Sequence, residues 1–528
     1  MPSTTIGALR PAIYPFRASA GLLTLSFAVW LAVRPKPGES PVLLRRPEKK
    51  GRYALYQFSR RGAALALGAV IAFGWATAYD AVFRAPAEAY IGDAVFLSGE
   101  AVSYPAPTSI GGYSVTVRLD GGLTAPDVLV YGPADWGGIS PGDRVSFTAR
   151  VAPSTRAHGD ETTYYTAKGV YLLGYCNEPP EVEQAERVSV RHWPTLCAHA
   201  LREGIYAAFD ETAAPIAAAV TLGDKSGLDE TLYPAFSRAG LMHAAAVSGL
   251  HISFLVALVM ALSGRSRRAA LGMLPLLIFY ALMAGGTPSA FRAVIMQCAL
   301  LFAPIARREG DGPSALAFAL LVLLIQNPFA AASVGLQLSF ASVAGILLVT
   351  RPLLKRVEKP LKKRRPLKSQ RLRLALWKGL RAAVSGAAAS LGAMLFTVPL
   401  TALYFGQILL LSPVSSVLVL WALSLLMVCA LALGLAGIFL PAPAAVLGAV
   451  AGLLAHYARW MALLLGKFPF ASLGADNAYC LIWLGAAYLT LAAACLGKNR
   501  VKRPLIPLCG LMLLLCAAIG LGRWETDR

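Results

Sequence analysis

Long apolar stretches separated by short basic loops run through this sequence from Leu241 to Leu521. A helix needs about 20 mostly apolar residues to cross a bilayer. With 56% hydrophobic residues and a mean hydropathy of +0.58, the chain is too apolar for a soluble protein. We therefore predict a polytopic α-helical membrane protein of about 10–12 spans.

Basic loops predict the orientation of these spans. Arg34 to Arg61 holds nine basic and two acidic residues, and Arg351 to Arg381 holds thirteen basic residues and one acidic residue. Short loops rich in Lys and Arg stay in the cytoplasm. Residues 1–79 then form two membrane helices around a basic cytoplasmic loop. Whether the stretch at 351–381 also contacts anionic lipids or an exiting polyanion stays open.

A soluble β domain is predicted between the second span and the later ones, over residues 80–192. Apolar and polar residues alternate there in five stretches separated by Gly-rich turns, at 94–102, 113–119, 127–131, 144–151 and 164–175. Five short strands suit a small barrel of the OB type, which the preceding span exports from the cytoplasm. Such barrels often bind single-stranded nucleic acid. Between Asp80 and Arg191, however, 14 acidic residues face 8 basic ones, so a lid or docking module is an equal alternative.

The remaining chain is predicted as an amphipathic interfacial helix over residues 193–222, followed by a multi-span domain over residues 223–528. A disulfide between Cys176 and Cys197 is expected if the β domain is extracytoplasmic, and two free thiols are the alternative. The sequence contains no phosphate loop, no paired-cysteine zinc spacing and no other cofactor motif, so we expect no metal or cofactor.

Two histidines and a serine open the first span of that domain. On one continuous helix His243, Val247 and His251 would lie at i, i+4 and i+8, with Ser248 and Gly249 between them. Ionisable groups at membrane depth usually face a bundle interior or a wet path. An interfacial helix whose histidines bond neighbouring carbonyls is the plainer interpretation. An intramembrane serine hydrolase using Ser248 and His251 is disfavoured, because no acid is placed to orient the histidine.

A second polar segment interrupts the spans at Gly285-Gly-Thr-Pro-Ser-Ala-Phe-Arg292. We predict that a new helix starts near Ser289, which would act as its N-cap. Burying Arg292 one turn later costs roughly 2.5–3.5 kcal/mol unless it is paired or wet. A helix N-terminus, a serine and an arginine together favour an anion, and a snorkelling interfacial arginine is the alternative. Gln337 and Ser339 are weaker candidates in another span.

Several motifs occur in the order and spacing of a known family. They are Leu222-Gly-Asp224, Gly240 to His251, Gly286 to Arg292, Asn327-Pro328 and Gly335-Leu-Gln-Leu-Ser-Phe340. In this ordered set, and in Gly169-Val-Tyr-Leu near the end of the β domain, the chain resembles the competence domain of the ComEC family of DNA-uptake channels. Two features depart from that family. The chain lacks the histidine cluster of a metallo-β-lactamase-like domain, and Leu411-Ser-Pro413 stands where an Asn before the proline is expected.

The resemblance implies a non-enzymatic channel that passes single-stranded DNA across the cytoplasmic membrane. It implies an extracytoplasmic DNA receptor, a cytoplasmic helicase or ATPase motor and a separate nuclease as partners, with homo-oligomerisation left open. A small-solute transporter remains an alternative. The candidate residues along the path are Asp224, His243, Ser248, Gly249, His251, Ser289, Arg292, Gln337 and Ser339.

Overall fold

A computed structural model describes residues 67–475, except 109–110, 123–124, 158–159, 246, 248, 264–266, 351, 356, 358–370 and 469–470. The first predicted span, the basic loop at 34–61, residues 351, 356 and 358–370 of the basic stretch and the last two predicted spans lie outside the described residues. The chain divides into two compact units. Unit 1 holds the described residues up to His199 together with Val259–Leu336, and unit 2 holds Ala200–Leu258 together with the described residues from Gln337.

A closed five-stranded barrel forms the β part of unit 1, as the alternating sequence predicts. Its strands are β1 (Gly92–Ala101), β2 (Tyr113–Leu119), β3 (Asp127–Gly132), β4 (Arg144–Pro153) and β5 (Val170–Tyr175). They pair in the order β1-β2-β3-β5-β4, and β4 closes the barrel on β1. Only the β3–β5 pair is parallel among these pairings. This confirms the OB-type domain.

The inward side chains of these strands fill the barrel with branched apolar groups around Trp136, which is fully buried. The fifth strand begins six residues later than its predicted start at Tyr164. Gly169 at φ +84° ends a short 3₁₀ helix (Thr166–Lys168) directly before β5, and the alternating pattern does not reveal that turn. Further short strands lie at Ala106–Pro107, Arg156–Ala157, Asp160–Glu161, Glu181–Glu183, Gln407–Ile408 and Leu473–Gly474.

Helices make up most of the remainder. They are α1 (67–79), α2 (Trp193–Ala208), α3 (Ala214–Leu222), α4 (Leu232–Arg238), α5 (Gly249–Leu262), α6 (Arg267–Met283), α7 (Pro288–Ile305), α8 (Gly312–Gln326), α9 (Val334–Gly345), α10 (Arg371–Phe405), α11 (Ser412–Phe439) and α12 (Pro441–Gly466). Five helices in the described part are long and apolar enough to cross a membrane: α7, α9 with its continuation to Lys355, α10, α11 and α12.

Three further helices, α5, α6 and α8, are apolar but have only 14, 17 and 15 residues. The chain is thus a helical membrane protein, and the total of about 10–12 spans stays a prediction.

Residues 193–222, predicted as one amphipathic helix, form two helices. Within unit 2, a Cβ on Gly204 of α2 would lie 2.0 Å from the Gly434 carbonyl oxygen of α11. Such backbone-to-backbone packing requires glycine on both helices. α3 is buried at eight of its nine positions, so this half has no exposed polar face. The break between the two helices contains Asp210, which accepts hydrogen bonds from the backbone amides of Thr212 and Ala213.

Candidate translocation site

Gly240 ends helix α4 in a Schellman motif. Its φ is +71°, the Leu241 amide donates to the Phe236 carbonyl over 2.8 Å, and the Gly240 amide donates to the Ser237 carbonyl over 3.0 Å. These two bonds are the 6→1 and 5→2 hydrogen bonds of that motif. The residue that adopts the left-handed conformation after the helix C-cap is usually glycine. The family-like segment that starts at Gly240 therefore starts where a helix must stop.

The expected single helix through both histidines is wrong. His243 lies in a turn in which the Ala244 amide donates to the Leu241 carbonyl over 2.8 Å. Helix α5 begins only at Gly249. His243 exposes its side chain, whereas His251 in the first turn of α5 is 1% exposed. The histidines therefore do not share a helical face. Ser248 lies outside the described residues.

The turn at Leu411-Ser-Pro413, whose role the sequence left in doubt, packs against Gly240. Ser412 is the first residue of α11, and its hydroxyl lies 3.4 Å from the Gly240 carbonyl oxygen. A Cβ on Gly240 would come within 2.7 Å of the Ser412 Cβ. Glycine at 240 is thus required both by the backbone conformation and by the contact with α11.

Arg292 follows a second helix end of the same construction. The Gly286 amide donates to Ala281 over 2.9 Å and the Gly285 amide to Leu282 over 3.1 Å, with Gly285 at φ +78°. The next helix, α7, has Thr287 as N-cap, whose hydroxyl accepts from the Ala290 amide. This corrects the predicted N-cap Ser289, because Pro288 takes the first helical position, where its missing N–H costs nothing.

The side chain of Arg292 is 4% exposed. Arg292 is the fifth residue of α7. The guanidinium is thus buried near the start of an apolar helix, and its role in binding an anion stays a prediction. Ser289 is half-buried in the first turn of the same helix.

Asp224 is held by partners that explain its presence without a transport role. Its carboxylate accepts from the Arg202 guanidinium over 2.8 Å and from the Ser226 hydroxyl over 2.6 Å. Burial alone would raise the pKa of Asp224, but the hydrogen bonds from Ser226 and Arg202 lower it below its usual range. The carboxylate is therefore charged and fixes the loop after α3 to α2.

Gln337 and Ser339 lie near the start of α9, and both are 8% exposed. The Tyr404 hydroxyl of α10 donates to the Gln337 side-chain oxygen over 2.7 Å. Ser390 of α10 and Ser416 of α11 are also within hydrogen-bond distance, at 3.4 Å. Polar contacts of this kind join helices in an apolar environment, so unit 2 contains a polar seam among spanning helices.

Asn327 was noted in the sequence only as part of a motif, and the structure gives it a definite role in unit 1. Its amide nitrogen lies 3.1 Å from the Thr166 carbonyl oxygen and 3.3 Å from that of Ala167. Its side-chain oxygen accepts from the Phe329 amide over 2.9 Å. One side chain thus fixes the 3₁₀ helix of the barrel to the end of α8.

Phe329 completes this junction between barrel and helices. Its ring lies edge-on to Tyr79 and Tyr171, with centroids 6.1 and 6.4 Å apart. The Arg84 guanidinium lies 5.9 Å from the ring centroid. The local signal that could have predicted a junction is an Asn-Pro pair at a helix end followed by an aromatic residue, but it does not identify the partner.

The predicted disulfide is absent from the structure, in which Cys176 and Cys197 are both free thiols. Cys176 belongs to the buried core of the barrel, with its sulfur 3.2 Å from the Thr148 carbonyl oxygen. Cys197 is exposed on α2. The Cys176 thiol is therefore buried inside the barrel, whereas Cys197 is open to solvent.

The model of the Competence protein family matches residues 220–500, more than half of the chain. The chain belongs to this ComEC family of competence proteins. All nine residues proposed for the path fall inside the matched segment. Over 137 residues the chain is 29% identical to ComE operon protein 3 of Bacillus subtilis (strain 168), covering 25% of this chain and 18% of that protein. The alignment thus spans less than a fifth of that relative. No solved structure matches the chain.

Proposed function

We propose that this ComEC-family protein passes single-stranded DNA inward across the cytoplasmic membrane during competence, with the barrel on the extracytoplasmic side. The observation that carries the proposal is the construction repeated around two of the buried ionisable side chains, His251 and Arg292. A helix ends in a Schellman glycine, a short loop follows, and His251 or Arg292 lies within the first five residues of the next apolar helix.

This construction suits an anionic substrate. The N-terminus of a helix carries a partial positive charge and free N–H groups. Discontinuous membrane helices direct such termini at anionic substrate groups near the middle of the bilayer. A polyanion also needs weak, distributed sites, because tight binding would stop its movement. Arg292 in unit 1, and separately His251 and the hydroxyl and amide groups of unit 2, are candidates for such weak sites.

Passage of a polymer needs a driving force and a supply of single strands. We infer that an extracytoplasmic receptor delivers the DNA, that a cytoplasmic helicase or ATPase draws it inward, and that a nuclease removes the second strand. The basic stretch at 351–381 would lie on the cytoplasmic side, where it can contact anionic lipids or the emerging strand.

The test measures uptake of fluorescent DNA by cells of a transformable bacterium that carry this protein in place of their own ComEC protein. Arg292→Ala is expected to lower uptake about tenfold, which corresponds to about 1.4 kcal/mol of lost interaction. Arg292→Lys keeps the charge and should retain most of the uptake. The matched control is Arg308→Ala, an exposed arginine after the same helix.

Uptake has to be normalised to the amount of protein in the membrane. Unchanged uptake with normal amounts of the Arg292→Ala protein would exclude an anion role for this residue. The same broken helices also suit a small-solute transporter. Loss of uptake of an anionic solute in this variant, with DNA uptake intact, would favour that second candidate.

A further inference from the structure

One end of the barrel carries a group of aromatic side chains that its packing does not require. Tyr131 of β3 and Tyr175 of β5 are register partners, and Arg150 of β4 is the register partner of Tyr175. The two tyrosine rings are stacked, with centroids 5.6 Å apart and an interplanar angle of 14°. Three neighbouring strands thus contribute two aromatic rings and a cation to one row.

The loop before β5 extends this row. The Tyr165 hydroxyl lies 3.1 Å from that of Tyr131, and the Tyr164 and Tyr165 rings meet edge-on at 5.2 Å. The Lys168 ammonium lies 4.1 Å from the Tyr164 ring centroid and donates to the Tyr164 hydroxyl over 2.6 Å. We call Tyr131, Tyr164, Tyr165, Tyr175 and Lys168 the tyrosine patch.

The tyrosine patch is accessible. Tyr164 is 59% exposed and Tyr175 is 37% exposed, although each ring would gain from burial. Arg150 beside them is paired with Asp93 at 3.3 Å, but both side chains are largely exposed, so that pair is weak and can be exchanged for a phosphate. An exposed aromatic cluster with cations at its edge is typical of a binding surface rather than of a folding core.

We propose that the tyrosine patch stacks the bases of a single-stranded nucleic acid, while Lys168 and Arg150 contact its phosphates. Every base has a flat face that can stack on tyrosine, so such a site is tolerant of sequence. The local charge of the patch has the sign that a phosphate chain requires, although the barrel as a whole is acidic. This proposal rests on the proposed function and names where the strand is first held.

The position of the tyrosine patch supports this assignment. Tyr165 and Lys168 flank Thr166 and Ala167, whose carbonyl oxygens bind the Asn327 side chain at the end of α8. The patch is therefore fixed to the helical part of unit 1 by backbone contacts within its own loop. A strand held there is presented next to the junction between barrel and helices.

The test measures binding of a fluorescein-labelled oligo-dT to the full-length protein in detergent micelles by fluorescence anisotropy. Tyr175→Ala and Tyr164→Ala are each expected to weaken binding about tenfold. Tyr175→Phe keeps the stacking face and should stay within about twofold of the unaltered protein. Lys168→Ala should reduce the slope of log K against log salt by about 0.7, the change for one lost phosphate contact on a single strand.

Tyr233→Ala is the matched control, since Tyr233 is 48% exposed on α4, outside the barrel. Unchanged oligonucleotide affinity in both alanine variants of the patch would overturn the proposal. In nanodiscs, protection of Tyr175→Cys from a membrane-impermeant maleimide would also overturn it, because the patch would then face lipid headgroups. Binding at the patch without DNA uptake in cells would refute the proposed function and leave this inference standing.

Discussion

The contact between Gly240 and Ser412 makes a prediction whose magnitude follows from the structure. In Gly240→Ala the new Cβ would lie 2.7 Å from the Ser412 Cβ and 3.2 Å from its Cα. Neither atom belongs to a flexible side-chain end, so α4 and α11 must move apart. Overpacking of this kind costs about 1–3 kcal/mol. The left-handed backbone at φ +71° adds about 1–2 kcal/mol for a residue with a Cβ.

We therefore expect Gly240→Ala to lower the free energy of unfolding by about 2–5 kcal/mol. The assay is a denaturation titration of the purified protein in mixed micelles, followed by intrinsic tryptophan fluorescence. The double variant Gly240→Ala with Ser412→Gly removes the closest contact, that with the Ser412 Cβ, and keeps the backbone strain. Measured against Ser412→Gly alone, the effect of adding Gly240→Ala should be smaller by about 1–3 kcal/mol than its effect in the unaltered protein.

Gly272→Ala is the matched control, since a Cβ there meets nothing within 4 Å. Alanine at an open helical position should leave stability unchanged or raise it by up to about 1 kcal/mol. If Gly240→Ala were as stable as this control, the Schellman conformation or the contact with Ser412 would be wrong. If the double variant recovered nothing, backbone strain alone would account for the effect.

Three further predictions concern other parts of the chain. Asn327→Asp keeps the acceptor for the Phe329 amide but loses the donor to the Thr166 carbonyl. Hydrogen exchange of the backbone amides at 167–170 should therefore become faster than in the unaltered protein. Unchanged exchange rates would contradict the junction. Burial opposes ionisation of Asp210, but hydrogen bonds from Thr212, Ala213 and His456 lower its pKa to about 2. The ionised carboxylate therefore stabilises the fold above its unfolded pKa near 4, and this contribution is lost as pH falls towards 2. In acid unfolding curves, Asp210→Asn should lose less stability between about pH 4 and pH 2 than the unaltered protein does. A maleimide added to the native protein under non-reducing conditions should modify Cys197 quickly and Cys176 slowly, and mass spectrometry finding both blocked as a disulfide would contradict the structure.

The barrel could be predicted because its signals are local. Alternation with period two determines which side chains point inward, and glycine-rich turns bound the strands. The predicted bounds of β2 agree with the structure, and those of β1, β3 and β4 differ by at most two residues at either end. The start of β5 was missed because Gly169 alone ends the preceding 3₁₀ helix, and a lone glycine does not distinguish a turn from a strand position.

The helix starts in the candidate site were less predictable. An apolar run shows no periodicity that separates a continuous helix from two helices with a break, so His243 and His251 were placed on one face. Helix α5 starts only at Gly249, after a turn that Gly240 opens, and Gly240 contacts Ser412, 172 residues further along the chain. A single sequence contains no signal for such a pairing. The N-cap Thr287, in contrast, could have been predicted in place of Ser289, because proline is common at the first helical position after an N-cap.

Much of the family-like motif set lies where helices end and meet. Gly240 ends α4, and the Gly286 amide donates to Ala281 at the end of α6. Asn327 attaches the barrel, Asp224 bonds Arg202, and Gln337 accepts from Tyr404. Replacing any of these side chains changes the fold as well as any passage through it. His243 differs because its side chain is accessible in the turn after α4, where it donates to the nearby Gly240 carbonyl. Loss of DNA uptake in His243→Ala, with unchanged stability, would therefore report on passage itself, whereas the same loss in Asp224→Ala would not distinguish passage from folding.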